Sequence, residues 1–247
     1  MNIELKEKER IDNLQRGGLR VIQRADAFRF GTDAVLLSDF AMVRPRERVC
    51  DLGTGTGVIP LLLYGRRSDI TVDAVEIQPD MAEMASRSMR LNGLGEKITV
   101  HEGDLRQIRT LLPHARYDLV TCNPPYGKAG GTLLNPDESK RLARHEDTCH
   151  IEDVAQSAQW LLRNGGRLCC VFPAHRMLEL CDAMRAKKIE PKRIRMVCAR
   201  ADKAPNLCLV EGKLDARPGL HMEPTLIIYD ENGQYTPELR RIYGMEG

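Results

Sequence analysis

Between Val49 and Leu63 a short strand-like run, Val49-Cys50-Asp51-Leu52, meets Gly53-Thr54-Gly55-Thr56-Gly57 and continues as Val58-Ile59-Pro60-Leu61-Leu62-Leu63. Three alternate glycines would weaken a strand or helix that contained them, so the chain has to turn here from one to the other. The same glycines let a ligand come close to the backbone. Their spacing, G-x-G-x-G, is not the G-x-G-x-x-G of a nicotinamide-binding turn, and no Lys-Ser or Lys-Thr follows as a phosphate-cradling loop requires. Asp51 narrows the choice: a carboxylate beside the turn repels a pyrophosphate and suits a ligand carrying an ammonium and a sulfonium.

The flanking sequence keeps a strand–helix rhythm. Residues 70–77 form a strand ending on an acid, and a helix opens at Pro79 and stops at Asn92-Gly93. Residues 98–104 and 118–122 are further strands, followed by a helix over 151–162, Gly165-Gly166 and a strand over 167–172. Towards the front, residues 19–23 read as a short strand paired near Phe28 to Phe30, and Thr32 caps a helix from Asp33 to about Ala41. Towards the end, residues 206–211 and 225–229 read as two strands forming an antiparallel closing pair. Alternation of this kind predicts an α/β fold with a mainly parallel sheet and helices on both faces. Ligands bind at the carboxyl ends of such strands, where Gly53, Glu76, Asp104 and Asn123 all fall.

The fourth of these ends carries the second motif, Asp118-Leu119-Val120-Thr121-Cys122-Asn123-Pro124-Pro125-Tyr126. Neither proline has an N–H, so the chain leaves the sheet at Asn123 on a stiff loop. The Asn123 amide oxygen and the Pro124 carbonyl are then two acceptors held close together, with the Tyr126 ring beside them. That arrangement suits a planar NH2 group: the acceptors take its two protons and the ring stacks on the flat system that bears it.

Together the two motifs resemble a known family. Residues 51–57 look like motif I of the class I S-adenosylmethionine-dependent methyltransferases, and Asn123-Pro124-Pro125-Tyr126 looks like the N-P-P-Y motif of those that methylate planar nitrogens. With Phe28-Arg29-Phe30-Gly31-Thr32-Asp33-Ala34-Val35-Leu36-Leu37 and Ala143-Arg144-His145-Glu146, the chain most resembles the bacterial tRNA (adenine-N6)-methyltransferases that modify an adenine beside the anticodon of a valine tRNA. The resemblance implies a Rossmann-like class I fold, with a seven-stranded, mainly parallel sheet and an antiparallel closing strand. It implies S-adenosylmethionine as cofactor, held by Phe30, Thr32, Asp33, Asp51, Gly53, Thr54, Gly55, Glu76, Ile77, Asp104, Leu105 and Asn123. Within that set Glu76 accepts from the ribose hydroxyls, Asp104 from the adenine amino group, and the Leu105 N–H serves a ring nitrogen. Asn123, Pro124, Pro125 and Tyr126 are the implied catalytic residues, and residues 31–247 the catalytic domain behind a charged, loosely docked lead-in over 1–30.

Composition limits the partners. The chain has 247 residues and a formal net charge of +2, so binding to nucleic acid must come from local patches. Lys128 and Arg144 lie near the catalytic loop. Alternation in Arg193-Ile194-Arg195 puts both arginines on one strand face, from which they would touch RNA phosphates. Eight cysteines without C-x-x-C spacing indicate reduced thiols in a cytosolic protein, and Cys169 and Cys170 should face opposite sides of a strand. His145, Cys149 and His150 are close in sequence, but without a second ligand cluster they make no zinc site, and no metal is expected. The charged front and the lack of a long apolar run predict no membrane partner.

Three functions fit: methylation of adenine N6 in tRNA, methylation of a glutamine amide in a translation release factor, and an idle nucleic-acid-binding module of the same fold. An amide presents the same two protons as an adenine amine, so the N-P-P-Y loop does not separate the first two. The short stretch ahead of the fold favours tRNA, because release-factor enzymes carry a longer helical front domain. The intact loop and glycine turn speak against the third.

Overall fold

The computed structural model describes residues 4–24, 31–124 and 149–245. Near the front, β1 (Glu9–Asn13) and β2 (Arg20–Arg24) pair as an antiparallel hairpin. Then follow α1 (Thr32–Phe40), β3 (Arg48–Leu52), α2 (Val58–Arg66), β4 (Thr71–Glu76), α3 (Pro79–Leu91), β5 (Ile98–Glu102), the short α4 (Ile108–Leu111) and β6 (Tyr117–Cys122). Beyond the catalytic-loop segment lie α5 (Ile151–Leu161), β7 (Leu162–Pro173), α6 (Met177–Ala186), β8 (Ile189–Cys198), β9 (Leu207–Leu214), β10 (His221–Ile227) and α7 (Pro237–Tyr243). No described helix is long and apolar enough to cross a membrane.

Eight strands form one sheet in the order β10-β8-β9-β7-β6-β3-β4-β5. β3, β4, β5, β6 and β7 are parallel to their neighbours in that group, as the alternation predicts. The end of the chain departs from expectation. β9 is antiparallel to both β7 and β8 and sits between them, whereas β10 lies parallel to β8 at the sheet edge. The two late strands are therefore not a pair, and the sheet has an eighth strand beyond the seven expected. β9 is buried because Cys208, Leu209 and Val210 are apolar without a break, so both of its faces need cover.

That cover comes as two cores. One, with Val21, Leu36, Leu61, Met89, Leu119, Cys169 and Leu239, lies under the hairpin, α1, α2, α3 and α7; the other, with Val120, Ala158, Cys170 and Met184, lies under α4, α5 and α6. Adjacent residues Cys169 and Cys170 fall in different cores, as period-two alternation requires. Seven of the eight cysteines are buried as thiols.

Within the front segment, the described hairpin packs on α3. Val21 and Ile22 are fully buried, the Ile22 N–H donates to Ser88 Oγ at 3.0 Å, and Glu9 pairs with Arg87 at 2.5 Å. β2 pairs with β1; the partner expected near Phe28 to Phe30 lies outside the described residues. The first helix is capped by Gly31, one residue earlier than expected, with Thr32 already helical. Its far end is held by the buried Arg167, which donates to the Ala41 carbonyl at 2.8 Å and pairs with Glu47 at 2.9 Å and Glu211 at 3.0 Å. Three carbonyl or carboxylate partners compensate the desolvation of that guanidinium and tie α1 to β7 and β9.

Gly57 closes the glycine turn at φ +84°, where an added Cβ would overlap Met89 Cε and touch Ala85 Cβ at 3.4 Å. The Gly57→Ala protein is expected to lose about 1–2 kcal/mol of stability to left-handed backbone strain alone. Thermal unfolding should show this as a fall of roughly 2–8 °C in Tm. An unchanged Tm would refute the strain at this position.

Candidate active site

β3, β4, β5 and β6 run side by side in one direction, and their ends are in register: Leu52 lies opposite Val75 and Cys122, and Glu76 opposite Glu102. Gly53, Glu76, Asp104 and Asn123 consequently leave the sheet along one edge. The glycine turn is pinned there by backbone bonds from the Gly53 and Thr54 N–H groups to the Val75 carbonyl, at 2.9 and 3.0 Å. Glu76, only 5% exposed, braces it from the next strand: Oε2 accepts from the Gly55 N–H at 2.8 Å and Oε1 from the Gln78 N–H at 2.9 Å.

Asp51 lies fully buried behind the turn, and its Oδ1 accepts from the Thr121 hydroxyl of β6 at 2.6 Å. Its Oδ2 and the Thr54 Oγ1 are buried with no hydrogen-bond partner. A buried acceptor left without a donor costs about 1–3 kcal/mol, which marks this spot as one that a donor-bearing ligand completes. Gly53 and Gly55 stand at φ +70° and +57° with nothing within 4 Å of an added Cβ, so the backbone there faces open space. A buried carboxylate short of a well-aligned donor and an open glycine cradle together fit S-adenosylmethionine, whose ammonium supplies positive charge.

Burial pushes the Asp51 carboxyl up to about 7, with the Thr121 and Thr54 hydroxyls holding it down and the Glu76 charge adding to the rise. A carboxyl raised in this way costs the fold stability as pH climbs from its unfolded value toward 7, and the cost is complete above 7. A cationic ligand favours the ionised form. Cofactor affinity is therefore expected to fall as pH drops from 7 to 5.5, approaching tenfold per unit, while the ligand amine stays protonated throughout. Calorimetric titration across that range checks this; a slope that persists in Asp51→Asn would assign the effect elsewhere.

The other expected cofactor residues divide. Ile77 follows Glu76 and is 44% exposed, an apolar side chain left at the rim where a ring would cover it. Asp104 is half-buried and already bonded to Arg106, accepting from its backbone N–H at 2.9 Å and its guanidinium at 2.5 Å. Leu105 is half-buried beside it, its carbonyl accepting from Ser157 Oγ at 2.8 Å. Thr32 and Asp33 open α1. Thr32 Oγ1 accepts from the Tyr243 hydroxyl at 3.2 Å, and burial pushes the Asp33 carboxyl up. Thr121 and Tyr243 are partners the sequence does not single out, since each meets its site only across the sheet or from the far end of the chain.

Asn123 is half-buried and Pro124 buried, directly after β6. Phe30, Pro125, Tyr126, Lys128, Arg144 and His145 lie outside the described residues. His150 opens α5, its N–H donating to Asp153 at 2.9 Å. Among the described residues no group of three or more His, Cys, Asp or Glu is arranged to hold a metal.

The late arginines depart from expectation. Arg193 stacks on Phe40 at 4.2 Å and pairs with Glu211 at 3.3 Å and Glu223 at 3.2 Å, while Arg195 pairs with Glu238 at 2.8 Å and donates to the Pro224 carbonyl at 2.9 Å. They do share one face, but it is packed against α1 and α7 and lined with carboxylates. Both charges are internally matched by these carboxylates.

Comparison with known proteins agrees with this geometry. The family model for the methyltransferase small domain matches residues 25–188. A tRNA1(Val) (adenine(37)-N6)-methyltransferase of Porphyromonas gingivalis is 32% identical over 89% of this chain and 89% of its own length. The protein of the same name from Tolumonas auensis is 33% identical over 86% of each chain. Among solved structures, a predicted O-methyltransferase from Agrobacterium tumefaciens superposes with a TM-score of 0.69 at 23% identity, over 85% of this chain and 95% of that one, a likeness of fold.

Proposed function

Since the chain belongs to the methyltransferase small-domain family, and within it to the tRNA1(Val) (adenine(37)-N6)-methyltransferases, we propose that it methylates the exocyclic N6 of an adenine beside the anticodon of a tRNA, with S-adenosylmethionine as donor. One observation carries the reading furthest: four strand ends in register bring the glycine cradle, Glu76, Asp104 and Asn123 to a single edge.

The cofactor supplies a methyl group on a sulfonium, a good leaving group, so the protein's task lies with the nucleophile. Asp51 and the glycine turn hold the methionine end, Glu76 the ribose hydroxyls, and Asp104 with the Leu105 N–H the adenine, with Ile77 against its face. An adenine amine is a poor nucleophile because its lone pair is delocalised into the ring. The Asn123 side-chain oxygen and the Pro124 carbonyl accept its two N–H bonds, favour a pyramidal nitrogen and aim the lone pair. Tyr126 stacks on the base. Positioning and these two acceptors lower the barrier without a side-chain base acting before attack, and the methylated nitrogen, cationic and strongly acidic, then loses one proton to solvent. In an anticodon loop the base is partly unpaired, so its extrusion costs less than from a duplex.

Transfer of radiolabel from S-adenosylmethionine to bulk bacterial tRNA, with a release factor offered in parallel, tests this. Label recovered as N6-methyladenosine is the expected result. Label in the release factor alone would move the substrate to a glutamine amide, and cofactor binding without transfer to either would overturn the reading.

A further inference from the structure

The cofactor residues occupy one half of the carboxyl edge, above β3, β4, β5 and β6. The other half holds a feature that neither the family match nor the catalytic motifs account for. β8 and β10 run in the same direction as β7, since β9 is antiparallel to both of its neighbours, so their ends point to the same edge as Asn123. Directly after β10 the Tyr229 N–H donates to the Ala199 carbonyl at 2.9 Å, fixing that residue at the end of β8. A tight turn follows, in which Asp230 Oδ1 accepts from the Asn232 and Gln234 N–H groups, both at 2.9 Å, and Tyr235 returns opposite Tyr229.

The turn sets three rings in a row. Tyr229 and Tyr235 stack with centroids 5.5 Å apart at 28°, and Tyr235 and Tyr243 with centroids 5.6 Å apart at 15°. Tyr235 and Tyr243 rest on the core, and the Tyr243 hydroxyl reaches Thr32 at the start of α1. Tyr229 is 38% exposed. Arg200, exposed after β8, has its guanidinium beside Gly233 in the same turn. Strands are spaced about 4.8 Å apart, so the outer ring lies roughly 19 Å along the edge from Asn123, four strands away, and the row leads back toward the cleft.

We propose that the Tyr229–Tyr235–Tyr243 row is the platform on which an unpaired base of the substrate loop, a few nucleotides from the target adenine, stacks; this rests on the tRNA reading above. Tyrosines preset in a stack lose little side-chain freedom when a base adds to the row, and every base offers a π face. An RNA loop has splayed bases to offer, and the guanidinium of Arg200 stands where a phosphate of the same strand would pass. Of the two carboxylates in the turn, Asp230 has an oxygen engaged by two backbone donors, and Glu231 is exposed.

The test uses the full-length protein and a set of anticodon stem-loop RNAs carrying 2-aminopurine at each unpaired loop position in turn. Tyr229 is the residue to change, because the two rings behind it support the core. Tyr229→Ala is expected to weaken RNA binding roughly 5- to 100-fold, the range for one stacked base, and to abolish the quenching of 2-aminopurine seen with the wild type. Tyr229→Phe keeps the ring and should bind within about twofold of wild type, and cofactor affinity should be unchanged in both. If the wild type binds the RNA and Tyr229→Ala binds and quenches equally well, the platform is wrong and the tRNA reading stands. If the wild type itself binds no tRNA or stem-loop, the tRNA reading falls and the platform with it.

Discussion

Asn123→Ala is expected to lower kcat for methyl transfer to tRNA by about 10²–10³-fold, the usual cost of removing one preorganised polar group at the reacting centre. Asn123 is half-buried immediately after β6, at the strand end that stands in register with the glycine turn. Alanine removes the Asn123 side-chain acceptor and leaves the Pro124 carbonyl, so the amine is held by a single hydrogen bond and its lone pair is no longer aimed. Affinity for tRNA rests on phosphates and stacked bases and should change little; cofactor affinity should stay within about threefold. Asn123→Asp keeps an acceptor in place and should retain more activity than the alanine variant. Single-turnover kinetics with labelled cofactor, alongside calorimetric binding, separates these effects. An alanine variant with wild-type kcat would remove Asn123 from the chemistry, and equal losses in kcat and cofactor affinity would make it a binding residue only.

The second large effect is expected at Glu76. Its two oxygens hold the Gly55 and Gln78 N–H groups in a site only 5% exposed, so Glu76→Ala leaves two shielded donors unmatched. Each costs about 1–3 kcal/mol, and the glycine turn loses its brace from the neighbouring strand. On the proposed reading, the ribose hydroxyls of the cofactor lose their acceptor at the same time. Hydrogen bonds to a charged group contribute about 1.5–3 kcal/mol each, so cofactor Kd should rise roughly 10²–10⁴-fold. Glu76→Gln, with one acceptor oxygen in place of two, should fall between alanine and wild type. Thermal unfolding without cofactor reads the brace, and binding at saturating protein reads the ribose contact. A lower Tm with unchanged cofactor affinity would leave Glu76 a structural brace alone.

Local chemistry explains why these two positions were legible in the sequence. Gly53, Gly55 and Gly57 all adopt positive φ, a conformation that other residues rarely enter, so a glycine run between a strand and a helix has few alternatives. Two prolines after an apolar run end a strand for lack of an N–H, and β6 does stop at Cys122. Pro79 at the first turn of α3 and Asn92-Gly93 at its end are equally local signals, and the helix runs from Pro79 to Leu91. Parallel strands need crossovers on the faces of the sheet, so the alternating pattern alone brings Gly53, Glu76, Asp104 and Asn123 to one edge.

Pairing between distant segments carries no such mark. The pairing of β2 with β1 is one example, and it is held in place by Glu9 of β1, which Arg87 of α3 binds. Arg193 and Arg195 were assigned to one face correctly, but which charges that face meets depends on Glu211, Glu223 and Glu238, from three other elements. The position of β9 between β7 and β8, and of β10 beyond it, is equally non-local: both late runs have strand character, and their partners are chosen by burial.

The sequence by itself determined the class of fold, the strand end at which each ligand-facing residue sits, and the reaction for which an N-P-P-Y loop beside a glycine turn is suited. Those rest on backbone restrictions of Gly and Pro and on hydrophobic period, which act over a few residues. Only the tertiary structure decided that Asp51 keeps an unpartnered oxygen behind the turn, that Thr121 holds the other, and that Tyr229, Tyr235 and Tyr243 stack into a row reaching Thr32. Desolvation and ring stacking depend on which atoms surround a group in space, and chain order does not record that.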